Sequence, residues 1–228
     1  RADLLVCSGA ELEIGWLPLL LRKAGNAGIQ KNQPGNFAAA DFVEKQDVPE
    51  KLDRSQGDVH AEGNPHIHTS PENILLVADA LYERLAVIDP ENKQYYLARY
   101  QVFEKEWRQR MQQWQKSSAA LRGANIVTHH TYWTYLNRWT GLHVLATLES
   151  IPGVSPSSSH LAKLKKQLKQ QEIKMIIHVS YASDRPSYWL SEQTGAPVVA
   201  LPATVDYQGG QTLVQWFDEV IQQLVSIK

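Results

Sequence analysis

A chain of 228 residues with 43% hydrophobic and 21% charged residues has an ordinary globular composition, enough for one large domain or two lobes of roughly 100 residues each. Its 23 Lys and Arg against 24 Asp and Glu leave a formal net charge of −1, which carries no nucleic-acid footprint. The longest apolar runs, such as LPLLL at 17–21, fall far short of a membrane span, and the one cysteine, Cys7, excludes an intramolecular disulfide and a zinc-finger type of thiolate site.

The chain opens at Arg1, without a methionine and already inside an apolar run, which points to a processed or truncated product whose targeting signal is out of view. ADLLVCSGA (2–10) reads as a buried strand closed by Ser-Gly, and residues 11–23 carry apolar side chains at near-helical spacing, interrupted by Gly15 and Pro18. From about Asn26 to Ser70 the sequence turns polar, rich in Gly, Pro, Asn and Asp, and reads as one long loop region. Two helix starts then repeat one pattern, Ser70-Pro71-Glu72-Asn73 and Asp89-Pro90-Glu91-Asn92: a good N-cap, a proline where its missing N–H costs nothing, and a glutamate that complements the helix dipole. The first helix runs to about Val87 and the second to about Ala119, with Tyr96, Tyr100, Phe103, Trp107, Met111 and Trp114 spaced as one packed face. Some thirty helical residues would span about 45 Å, long enough to bridge two lobes.

Beyond Gly123, strands ANIVTH, HVLATLE, KMIIHVS and APVVALP alternate with helices near 131–139, 157–171, 184–194 and 211–226. Such alternation implies parallel pairing with right-handed crossovers. Ligands of such a lobe bind at the carboxyl ends of its strands, where His129 and His130 follow IVT and Glu149 closes HVLATLE. Imidazole and carboxylate suit zinc, manganese or related divalent ions. Strand alternation sends adjacent side chains to opposite sides, so at most one of His129 and His130 is expected to reach a shared ion. The stretch GDVHAEGNPHIH (57–68) adds His60, His66 and His68, of which His66 follows a proline that stiffens its approach. His143 and His178 sit near strands and read as structural, and His160 stands at a helix start. HExxH, CxxC, the phosphate-binding GxxxxGK and the GxSxG elbow are absent, and SGAELE (8–13) lacks the glycines of a dinucleotide loop.

Five segments in order carry a resemblance: ADLLVCSGAELE (2–13), NPHIHTSP (64–71), THHTYWTYLNRWTGL (128–142), TLESIPGVSPSSSHL (147–161) and SEQTGAPVVALPATV (191–205). Together they resemble the periplasmic zinc- and manganese-binding proteins of ABC importers, the ZnuA/TroA type, across essentially the whole chain. The resemblance implies an α/β protein of two βαβ lobes joined by one long backbone helix, with the metal in a cleft between the lobes. It places an N-terminal lobe at 1–88, the linking helix at 89–120 and a C-terminal lobe at 121–228.

Carried over by motif, the proline-histidine ligand is His66. In the third segment the ligand stands five residues before a tyrosine, so Tyr135 selects His130, and the acid of the fourth is Glu149. Members of the family begin with a further strand and helix bearing another histidine ligand. The resemblance therefore implies a lobe truncated at its N-terminus, and His60 becomes a candidate substitute. Where many members supply a late aspartate, Val205-Asp206 stands here, which adds Asp206 as a candidate. The implied role is capture of a divalent ion, Zn2+ with Mn2+ also possible, by a monomeric, non-enzymatic periplasmic or otherwise extracytoplasmic protein that delivers it to an ABC permease in the inner membrane. A zinc-dependent hydrolase with three ligands and an open position, or a metal-binding surface adhesin, are the alternatives.

Overall fold

The computed structural model describes residues 1–49 and 60–227; residues 57–59, which open the histidine-rich stretch, lie outside them. The described chain divides into two compact units, one of residues 1–49 and 60–109 and the other of residues 110–227. No helix among the described residues is long and apolar enough to cross a membrane.

In the first unit, β1 (Leu5–Cys7) pairs in parallel with β2 (Asn36–Ala38), Leu5 opposite Asn36. The helix expected over 11–23 starts later, as α1 (Leu17–Ala24): Ala10 and Glu11 hold positive φ values of 49° and 63°, and the chain then runs in three-residue turns, with Leu12, Ile14 and Trp16 N–H donating to the Gly9, Glu11 and Glu13 carbonyls. Glu13 folds back instead, its carboxylate accepting the Ser8 and Gly9 amide N–H groups at 2.8 and 3.1 Å. Helix α2 (Pro71–Ile88) starts as expected, with Ser70 Oγ accepting the Asn73 N–H. The second start behaves differently. Asp89 Oδ2 is taken by Asn92 Nδ2 and Tyr96 Oη, a 3-10 turn fills Pro90–Asn92, and α3 (Lys93–Ser117) begins only after it. The aromatic face of α3 is the packed one: Trp107 is buried and donates Nε1–H to the Pro71 carbonyl at 2.7 Å, and Trp114 is buried likewise.

The second unit is built on a parallel sheet of four strands, β3 (Asn125–Thr128), β4 (His143–Thr147), β5 (Met175–Val179) and β6 (Val198–Leu201), in the order β4-β3-β5-β6. Helices α4 (Thr134–Thr140), α5 (Ser158–Leu168), α6 (Arg185–Thr194) and α7 (Leu213–Val225) make the connections and the close of the chain. Every residue of β5 is buried, as a central strand covered on both faces requires, which is why MIIHV reads as a continuous apolar run rather than an alternation. On one face Val127 and Ile176 pack with Leu164 and Leu168 of α5 and Leu190 of α6. On the other, Trp216 and Phe217 of α7 lie 6.4 Å from Trp133 and 5.1 Å from Trp114, ring to ring. The chain leaves β3 toward β4 and returns past it to β5. The switch point, where an α/β sheet opens a crevice at its carboxyl edge, therefore falls between β3 and β5.

Candidate metal centre

His129 and His130 leave β3 at that edge, and Glu149 stands just past β4. What makes them neighbours is a register shift between Ile126 and Val127. Asn125 pairs with His143 and Ile126 with Val144, but Val127 then pairs with Ala146 and Thr128 with Thr147, so one residue of β4 is skipped. Such a bulge moves every later residue of its strand by one place, which brings Glu149 rather than Leu148 level with His130.

The Glu149 carboxylate lies between the two imidazoles. His130 Nδ1 is 2.8 Å from Oε2, and His129 Nε2 is 3.5 Å from Oε1. A third donor, the Gly153 amide N–H, reaches Oε2 at 2.8 Å. Gly153 is in a left-handed conformation, φ 77°, which a side chain would strain, so the turn after β4 needs glycine there to aim its N–H back at the carboxylate. Burial raises the Glu149 pKa, but the hydrogen bonds from His129, His130 and Gly153 outweigh it and bring the group down to about 2. Glu149 is thus ionised, and its side chain is 13% exposed against 22% for His130 and 6% for His129.

Strict alternation would have sent the two histidines to opposite sides, yet both meet one carboxylate. The strand hydrogen bonds run on through His129, whose N–H donates to the Ile177 carbonyl and whose carbonyl accepts the Glu149 N–H, and His130 is still extended at φ −133° and ψ 168°; the two rings engage different oxygens of the carboxylate, His130 Oε2 and His129 Oε1. His129 was the residue that the motif spacing passed over. Only its being half of a His-His doublet at a strand end marked it. Its Nδ1 is buried and meets no hydrogen-bond partner.

Close by, at the end of β5, His178 is buried with Nδ1 donating to the Val179 carbonyl at 3.0 Å, the structural histidine its position suggested. Burial pulls its pKa below the ordinary imidazole value. The other two histidines of the second unit have local partners: His143 Nδ1 meets Asn125 Oδ1, and the His160 amide N–H donates to its N-cap, Ser157.

The first unit fixes the backbone of His66 closely. Its N–H donates to Asn64 Oδ1 at 2.9 Å, and its carbonyl accepts both the N–H and Oγ1 of Thr69. Asn64, itself buried, donates to Asp47. The His66 and His68 rings stand edge to face, 6.3 Å apart. His68 lines a cavity of about 330 Å³ together with Cys7 and Glu13. His60 accepts the Gly63 N–H through its carbonyl, and the next amide, Ala61, donates to Glu11. In the second unit Asp206 is exposed on the loop before α7, where Oδ1 accepts the Gly209 N–H and closes a turn. Among the described residues no group of three or more His, Cys, Asp or Glu side chains is arranged to hold a metal ion. In the His129–Glu149–His130 constellation the carboxylate joins the two imidazoles.

Acid should act on the second unit in two stages. An unfolded histidine titrates near 6.5 while folded His178 titrates lower, so between those values the unfolded chain binds more protons and stability falls as pH drops below 6.5. Glu149 adds a second loss, from 4.5 down to about 2, amounting to at most about 3 kcal/mol. Urea midpoints followed by circular dichroism across this range should show wild type losing its advantage over Glu149→Gln as pH falls below 4.5, so that the two curves converge; parallel curves would contradict the assignment to Glu149.

Comparison with known proteins gives a consistent picture. A family model described as ZnuA, zinc-uptake complex component A, periplasmic, matches residues 1–227. The high-affinity zinc uptake system protein ZnuA of Bacillus subtilis is 27% identical over 145 residues, 60% of this chain and 43% of that protein. The metal ABC transporter substrate-binding lipoprotein SloC of Streptococcus mutans is 22% identical over 205 residues, 88% of this chain and 64% of that protein. The chain thus spans less than two thirds of either curated relative. A crystal structure of ZnuA superimposes with a TM-score of 0.76 at 23% identity, covering 99% of this chain and 80% of that one. The Mn-bound periplasmic metal-binding protein of Candidatus Liberibacter asiaticus gives 0.75 at 20% identity, covering 98% and 80%. At these identities the likeness is one of fold.

Proposed function

Because the chain belongs to the ZnuA family of periplasmic zinc-uptake components, we propose that it captures a divalent cation, zinc first and manganese second, outside the cytoplasm and delivers it to an ABC-type importer of the inner membrane. The observation that carries this reading is the pair of imidazoles set on an ionised carboxylate at the switch point of the second unit's sheet. Within it, His130 and Glu149 belong to the metal site. His66 of the first unit is a further ligand on the strength of its motif, with His60 and Asp206 behind it. The division into residues 1–88, 89–120 and 121–228, the monomeric state and the carrier rather than catalytic role belong to the same proposal. Imidazole nitrogen favours zinc over manganese, which prefers oxygen.

The test is a zinc titration of the chain against a competing chelator, repeated with manganese. One tightly bound Zn2+ per chain is expected, with weaker Mn2+ binding, and with zinc affinity declining below about pH 6 as imidazoles take up protons. Failure to bind any divalent ion would refute the reading. Metal-dependent turnover of esters, phosphoesters or peptides by the zinc-loaded chain, lost in His130→Ala, would replace it with a hydrolase.

A further inference from the structure

Helix α5 carries a charge pattern that the metal centre does not use. Residues 150–171 contain the lysines 163, 165, 166 and 169 and no Asp or Glu, the first acid after them being Glu172. Leu161, Leu164 and Leu168 form one side of the helix, and Leu164 and Leu168 are buried in the core beneath it. Lys163, Lys166 and Lys169 fall on the opposite side, each about 60° around from the next and together spread over about 9 Å of the axis. All three are exposed, as is Lys165. Among the described residues none of these four ammonium groups forms an ion pair, and Lys165 Nζ donates instead to Gln193 Oε1 of α6 at 2.6 Å.

Helix stability does not account for this arrangement. Like charges three residues apart work against a helix. The negative end of the helix dipole favours Lys165 and Lys166, which lie in the last turn, but not Lys163, which precedes it. Helix α3 shows the ordinary make-up of a solvated face: both signs are interspersed, and Arg108 pairs with Glu104 one turn back. What the α5 face lacks decides between partners. No large apolar side chain of this helix is exposed, whereas the centre of a protein–protein contact is rich in aromatic residues and depleted of lysine. Flexible ammonium groups on a polar surface suit a diffuse array of phosphates, where charge suffices and no fixed geometry is required.

We infer that the lysine face of α5 is a docking surface for a membrane, held by charge to the anionic headgroups of phospholipids. The inference goes beyond the proposed function and does not rest on it, since the contact needs neither His130 nor a bound ion. Each lysine brought to an anionic surface strengthens partition by roughly 5-fold, so the three on the outer line contribute roughly 100-fold. The attraction is screened by salt, over a length that shrinks from about 30 Å at 0.01 M to about 8 Å at 0.15 M.

The test is co-sedimentation of the metal-free full chain with vesicles of phosphatidylcholine alone and of phosphatidylcholine mixed with phosphatidylglycerol. Binding is expected to the mixed vesicles only, and should weaken as salt is raised across that range. Lys163→Gln, Lys166→Gln and Lys169→Gln combined should lower partition by roughly 100-fold. Lys93→Gln, Lys105→Gln and Lys116→Gln combined, at exposed positions of α3, remove the same charge from the chain and should leave partition within about 5-fold of wild type.

Three results would overturn the inference: equal sedimentation with both kinds of vesicle, none with mixed vesicles at low salt, or equal loss in the two triple variants. The second would leave the face to a protein partner, and the third would make net charge rather than this face responsible. Far-UV circular dichroism checks that both variants fold. Zinc titration of the α5 variant should match wild type. Absence of vesicle binding with zinc affinity intact therefore fails this inference alone, and vesicle binding by a chain that takes up no divalent ion fails only the metal reading.

Discussion

Replacing His130 by alanine is expected to reduce zinc affinity by at least about 100-fold, more than removal of an orienting neighbour costs. The imidazole is 22% exposed, so an ion can reach the residue from solvent, and its Nδ1 lies 2.8 Å from Glu149. Stability should change little by comparison. Glu149 keeps His129 and Gly153 as partners, and the lost ring is not among the fully buried side chains of the core. Competitive titration of wild type and variant, each checked by circular dichroism, measures the difference. His143→Ala is the matched control, because that ring is also on the β3–β4 side of the sheet but is exposed at the strand start against Asn125. It should bind zinc as wild type does. Equal affinity in wild type and His130→Ala would remove His130 from the site.

Much of this architecture was written in the sequence because local chemistry and tertiary structure agree. Ser70-Pro71-Glu72 begins a helix, the aromatic stripe of α3 is the buried side, and the alternation beyond Gly123 becomes a parallel sheet in which β5 is continuously apolar. What sequence could not disclose depends on partners far along the chain. Strand β2 is three residues, Asn-Phe-Ala, in a stretch of turn-forming residues; it is a strand because β1 pairs with it, with Phe37 fully buried. Asp89 carries every mark of an N-cap, yet Tyr96 Oη and Asn92 take its carboxylate, and the α-helix starts four residues later.

The candidate site divides in the same way. His130 and Glu149 could be picked out by motif and strand-end position. Their contact could not, because it depends on a bulge with no glycine or proline to announce it, in His143–Thr147. His129 was hidden by the alternation rule itself, which does not foresee a carboxylate whose two oxygens each meet one of two adjacent rings. Gly153 carried no signal of its own in the sequence, because its N–H acquires a partner only when the turn after β4 brings the Glu149 carboxylate within 2.8 Å.

Trp216→Ala should destabilise the protein by roughly 3–5 kcal/mol, a large part of the 5–15 kcal/mol that holds a typical domain together. The indole is 1% exposed in the first turn of α7, with the Phe217 ring 4.7 Å away, and its Nε1–H donates to the Pro202 carbonyl at 3.0 Å. Alanine would leave a cavity and also deprive that carbonyl of its donor, so transfer, cavity and hydrogen-bond losses add. Phenylalanine separates these terms. It refills most of the volume while omitting the donor, and should cost about 1–3 kcal/mol. Urea unfolding gives both numbers from the shift in midpoint at unchanged slope. A loss below about 1 kcal/mol for alanine would mean that the site collapses around the missing ring. The effect should also reach the metal centre. Trp216 packs against Trp133, which lies in the turn that immediately follows His130, and Tyr132 of the same turn is tied by its hydroxyl to the Ala203 carbonyl, one residue beyond Pro202. Loosening α7 therefore loosens the turn that follows His130. Zinc affinity in Trp216→Ala should fall at temperatures where the protein remains folded, and by less in Trp216→Phe.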